Sequence, residues 1–61
     1  MKREALEKLM LPELCNLLVD NTLLLLESMD KKADGATIRD LRKNVELIQE
    51  IITKKRMEEA A

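Results

Sequence analysis

Two residues limit this chain more than any others: Pro12 and Gly35, its only proline and its only glycine. Proline breaks a helix interior, because it lacks an N–H and its ring clashes with the carbonyl four residues back. Glycine weakens a helix and is at home just past a helix end. Beyond these two points the chain is dominated by Leu, Ile, Ala, Glu, Lys and Arg, most of them good helix formers. The sequence therefore predicts an all-α protein, a single domain over residues 1–61. It should hold a short helical segment before Pro12, a helix over 12–33 and a helix over 37–57. Leu11 is a poor cap, so a break or kink is expected beside it.

The segment ends have their own signals. In the opening segment Leu6, Leu9 and Met10 share a side, and Glu4 precedes Lys8 at the favourable i,i+4 spacing. In "KKADGAT", Lys31 and Lys32 suit a helix C-terminus, and Gly35 is expected to take the left-handed conformation just beyond it. "TIRD" reads as a capping box, with Thr37 as the cap and Asp40 reaching back. Lys54, Lys55 and Arg56 suit the second C-terminus, and "EEAA" is expected to fray. Two helices of ~30 Å joined by so short a connection should lie antiparallel, as a helical hairpin.

The apolar pattern goes further. Ile38, Leu41, Val45, Ile48 and Ile52 are spaced 3, 4, 3 and 4, a coiled-coil seam. Leu47 and Ile51 form a stripe beside it. The first helix is broader: Leu11, Leu14, Cys15, Leu18, Val19, Thr22, Leu25, Leu26 and Met29 cover about half of the cylinder, with Leu23 at the edge. Its polar strip is Glu13, Asn16, Asp20, Glu27 and Lys31. One neighbouring helix covers a narrower stripe than this. The pattern predicts that two hairpins pair as a four-helix bundle, with Leu14, Leu18, Leu25, Met29, Ile38, Leu41, Val45, Ile48 and Ile52 in its core or interface. Leu17 and Leu24 lie on a separate flank and are expected to make a further contact. The opening segment folding back with Leu6 and Leu9, a second dimer or another protein could supply it.

Size favours the same conclusion. A core built from 61 residues is marginal and is usually supported by disulfides, a metal or a partner chain. A lone Cys15 makes no internal disulfide, and without histidine a structural zinc site is not expected. A homo-oligomer, most simply a dimer, is the remaining route.

Candidate chemistry is sparse. Glu13, Asp20 and Glu27 recur every seven residues, but that places neighbours ~10 Å apart along the axis, too far to share a small cation unaided. They read as a solvated stripe. Cys15 has no histidine to activate it and lies on the apolar arc, so it is expected to be a small buried hydrophobe. Asn44, beside the seam, either sets register from a partly buried position or faces water at the boundary. The four methionines are scattered and read largely as gap fillers. No enzyme activity, cofactor or metal is expected.

The chain resembles the dimeric helical-hairpin RNA-binding regulators in length and architecture, with no shared motif, and that likeness implies a small nucleic-acid-binding regulator as the alternative function. Net charge is −1, aromatic residues are absent, and Glu46 and Glu50 interrupt the basic side of the second helix, all against a nucleic-acid surface. The opening decapeptide is charged throughout, and the apolar stretch holds Asn16, Asp20, Asn21 and Thr22, so neither a signal core nor a membrane span is expected. The expected function is a non-enzymatic interaction module in the cytoplasm: a small regulator, adaptor or assembly subunit that also accepts a protein partner.

Overall fold

A computed structural model describes residues 2–60. They form three helices: α1 (Arg3–Glu7), α2 (Leu11–Asp30) and α3 (Gly35–Ala60). No strand occurs among the described residues, and no helix is long and apolar enough to cross a membrane. The ends of the expected domain, Met1 and Ala61, lie outside the described residues.

Pro12 acts as expected, as a start signal. Met10 is extended at φ −81° and ψ 160°, and α2 begins at Leu11 with the proline in its first turn, where a missing N–H costs nothing. The chain bends at residues 8–10, and α1 is a separate helix that packs chiefly on α3. The expected Glu4–Lys8 pairing gives way to another. Arg3 bridges Glu7 at 3.3 Å on its own helix and Glu50 of α3 at 3.0 Å. These partners, Glu50 first, hold the Arg3 guanidinium more firmly protonated than usual.

The connection between α2 and α3 corrects two expectations. The left-handed residue is Lys32, at φ 56°, whereas Gly35 is helical with negative φ. Around Lys32 the Ala33 amide donates to Ser28 O at 2.8 Å and the Lys32 amide to Met29 O at 3.2 Å. This is the Schellman pair of bonds, and it satisfies the last carbonyls of α2. The helix therefore ends at Asp30 rather than at residue 33. The cap of α3 is Asp34, not Thr37. Its Oδ1 accepts from the Thr37 amide at 2.8 Å, and its carbonyl takes the first helical bond, from Ile38 at 3.2 Å. Hydrogen bonding from Thr37, side chain first and backbone second, holds the Asp34 carboxyl below its ordinary value of 3.8. At the far end α3 continues through Ala60, past the expected stop at 57, so Lys54, Lys55 and Arg56 stand a turn inside the helix end.

The N-terminal half of α2 meets the C-terminal half of α3, so the two helices run antiparallel. Leu14, Ile48, Ile51 and Ile52 are buried between them, and Leu6 of α1 completes the cluster. Leu9, Leu11, Leu17, Leu18 and Leu47 pack around it, half-buried. The outcome is a rod 42 Å long and 17 by 15 Å across, closed at one end by α1.

Candidate interaction surface

The side of α2 that meets α3 is a heptad seam. Leu14, Leu18, Asn21, Leu25 and Ser28, spaced 4, 3, 4 and 3, are all buried or half-buried. Asn21 is the polar member, and its placement in the seam was not anticipated. It is only 6% exposed and donates through Nδ2 to Leu17 O at 2.8 Å. Beside it the Thr22 hydroxyl donates to Leu18 O at 2.7 Å. Among the described residues no buried side-chain nitrogen or oxygen lacks a partner, so these polar groups cost little where they stand.

One residue further along lies a second heptad stripe: Cys15, Val19, Thr22, Leu26 and Met29, again spaced 4, 3, 4 and 3. This one is open. Val19, Leu26 and Met29 are about half exposed, Leu26 most at 57%, and Cys15 is exposed. Leu23 extends the stripe outward at 55% exposure. The expectation that Cys15 is buried is thus overturned. The reason is the rotation of α2, whose buried face centres on Leu14 and Asn21 rather than on the middle of the broad leucine arc.

Geometry joins this stripe to α3. Both helices are right-handed and antiparallel, so residues a 100° step ahead of the seam point to the same side of the pair. On α2 these are Cys15, Val19, Thr22, Leu26 and Met29. On α3 the stripe that faces α2 is Leu41, Asn44, Ile48, Ile51 and Lys55, buried or half-buried, and a step ahead of it lie half-buried Ile38 and Val45 and buried Ile52, together with exposed Arg42 and Gln49. The result is one long face of the rod with an apolar centre. The opposite face is the one α1 covers, since Arg3 reaches Glu50 and Glu7 lines a recess with Ile51, Lys54, Lys55 and Glu58.

The expected core residues therefore occupy three environments. Leu14, Ile48 and Ile52 are buried; Leu18, Leu25, Ile38, Leu41 and Val45 are half-buried; Met29 is exposed. The flank pair divides. Leu17 packs on the cluster that contains Leu6, while Leu24 is 50% exposed. Asn44 is half-buried and Asn16 exposed.

Charge is unevenly distributed between the helices. α2 carries Glu13, Asp20, Glu27 and Asp30 and no basic residue. The first half of α3 carries Arg39, Arg42 and Lys43 against Asp40 and Glu46. Glu13, Asp20 and Glu27 are exposed, and no metal-holding group of three His, Cys, Asp or Glu side chains occurs among the described residues. No protein-family model, curated protein or solved structure matches the chain.

Proposed function

We propose that this chain is a non-enzymatic helical interaction module that works in a self-associated form, as two helical hairpins paired in a four-helix bundle. The observation that carries this reading is the second heptad stripe of α2, open to water while its twin one step away is packed on α3. Adjacent apolar side chains on one face mark an association surface, whereas scattered ones do not. A small regulator, adaptor or assembly subunit fits such a surface, and so does a cytoplasmic setting, where the exposed thiol of Cys15 stays reduced.

Sedimentation equilibrium over a wide range of protein concentration tests the reading. A dimer mass is expected, with a thermal midpoint that rises with concentration by mass action. A cooperative monomer whose midpoint ignores concentration refutes it.

Arg39, Arg42 and Lys43, all exposed on the first half of α3, favour a second reading as a nucleic-acid-binding regulator on the same scaffold. Salt-dependent retention on heparin and a mobility shift with RNA are its test.

A further inference from the structure

We propose that a second copy of this chain docks on the open face with the two-fold axis parallel to the helices, so that α2 of each copy lies on α3 of the other. The proposal rests on the self-association reading and adds to it the face and the orientation.

Area gives the first argument. The scaling of folded surface with mass assigns a chain of 7.0 kDa about 4,000 Å². This chain exposes 4783 Å². The excess, roughly 700 Å², is close to the ~800 Å² that each partner contributes to a standard interface. One contiguous face holds much of the apolar part: Val19, Leu23, Leu26 and Met29, with Ile38 and Val45 beside them. The opposite face is already occupied by α1 at its closed end, so a second copy has unobstructed access to one side only.

Charge decides the orientation. An axis across the helices would lay α2 on α2, where Asp30, the acidic residue that borders the open stripe, finds no basic residue to meet. An axis along the helices lays acidic α2 on α3 and preserves the height of every residue. Counting back from the turn between Asp30 and Gly35 puts Leu14 about level with Ile52 and Leu18 with Ile48, all members of one cluster. The same count at 1.5 Å per residue brings Asp30 within a turn of the height of Arg39. Asp30 lies at the outer edge of the open stripe on α2, and Arg42 and Arg39 lie at the outer edge of the stripe on α3. The axis along the helices brings these edges together, so Asp30 meets the partner's Arg39 and the partner's Arg42, while Glu27, one step behind the seam, stays on the other side of the rod. In the same arrangement Cys15 points at α3 of the second copy, close to the height of the partner's Gln49, and the two copies of Cys15 stay diagonally apart.

That juxtaposition gives a direct test with the full chain. Gln49 is exposed, so Gln49→Cys leaves the fold intact. Within one chain the two thiols stand on neighbouring helices, a helix spacing of 8–10 Å apart, beyond disulfide reach. Mild oxidation with diamide should convert Gln49→Cys to a covalent dimer on a non-reducing gel, with peptide mapping placing the bond between Cys15 and the introduced thiol. The parent chain under the same oxidation should remain uncrosslinked. Val19→Glu with Leu26→Glu should retain its helicity and sediment as a monomer where the parent is a dimer. A dimer in sedimentation that is not trapped by Gln49→Cys, or a parent chain that links through Cys15 alone, overturns the orientation while leaving self-association standing. A dimer that survives the double glutamate variant overturns the face. A monomeric parent chain overturns the reading beneath both.

Discussion

Ile48→Ala tests the core most directly. Ile48 has no exposed surface and stands among Leu14, Ile51 and Ile52 in the cluster. The substitution deletes three carbon atoms, which at about 0.8 kcal/mol per buried CH₂ amounts to roughly 2.4 kcal/mol of lost transfer free energy. The void left behind raises this to about 3–4 kcal/mol, inside the ~2–5 kcal/mol found for such truncations. A chain of this length holds roughly 3–9 kcal/mol in total at about 0.05–0.15 kcal/mol per residue. A loss of about 3 kcal/mol multiplies the unfolded-to-folded ratio by roughly a hundredfold. In urea, with a slope of about 1 kcal/mol per molar for so small a protein, the midpoint should fall by roughly 3 M or the folded baseline should vanish. The assay is a urea titration followed by far-ultraviolet circular dichroism at one fixed protein concentration, because association itself shifts the midpoint. Ile38→Ala is the control. Ile38 is only half-buried, near the other end of the rod, and the same arithmetic gives about 1 kcal/mol. A loss under half a kcal/mol at Ile48, or equal losses at both positions in dilute protein, would refute this account of the core.

Three further outcomes follow from local geometry. Lys32→Gly should raise the thermal midpoint, because the left-handed conformation costs a side-chain-bearing residue ~1–2 kcal/mol and the added chain entropy of glycine returns only ~0.5–1 kcal/mol; a lowered midpoint would mean that φ at Lys32 is not the 56° described. Asp34→Ala should lower the midpoint more than Thr37→Ala, and the contribution of Asp34 should be fully present above the ordinary carboxyl value of 3.8 and disappear as pH falls through its lower folded value; equal pH profiles for parent and Asp34→Ala in acid would remove it as the cap. Leu17→Glu should unfold the chain by setting a carboxylate against the cluster around Leu6, while Leu24→Glu should leave helicity unchanged; circular dichroism at matched concentration separates the two.

The helices themselves were legible because they follow from periodicity and from a shortage of breakers, both properties of neighbouring residues. Their ends were less so. Gly35 looks like the residue to end α2 because a left-handed conformation costs it nothing, and Thr37 looks like a cap because it heads a box motif. Asp34 changes both assignments. An aspartate cap three residues before Thr37 starts α3 at Gly35, and the left-handed turn must then fall earlier, on Lys32. The seam was harder still. Asn21 stands three residues after Leu18 and four before Leu25, which is seam spacing, but its polarity argued for the water side. Its burial is possible because Nδ2 finds Leu17 O within the same helix. With Asn21 facing α3, the helix turns Cys15 and Val19 outward. The docking of Leu6 could not be read locally at all, since it depends on α1 folding back across α3 to reach residues more than forty positions away.

The placement of α1 also makes the rod unequal along its length. Among the described residues every fully buried apolar side chain lies at the end where α1 closes the α2–α3 pair, and from Thr22 to the turn the facing residues Leu25, Ile38, Leu41 and Val45 are only half-buried. Local opening follows local burial, so the turn end should open at a lower free energy than the α1 end. The open stripe runs past both ends, from Cys15 beside the cluster to Met29 beside the turn. A second copy seated on that stripe adds most where the single chain has least, because Leu26 and Met29 lie in the poorly closed half and are each about half exposed. Association in this arrangement is therefore coupled to the ordering of the turn end: hydrogen exchange in residues 22–45 should slow as concentration rises, while exchange around Leu14 and Ile48 changes less. The breadth of leucine on α2 has the same cause. In the proposed pairing one side of the helix serves the fold of its own chain, and the side one step away serves the fold of the pair.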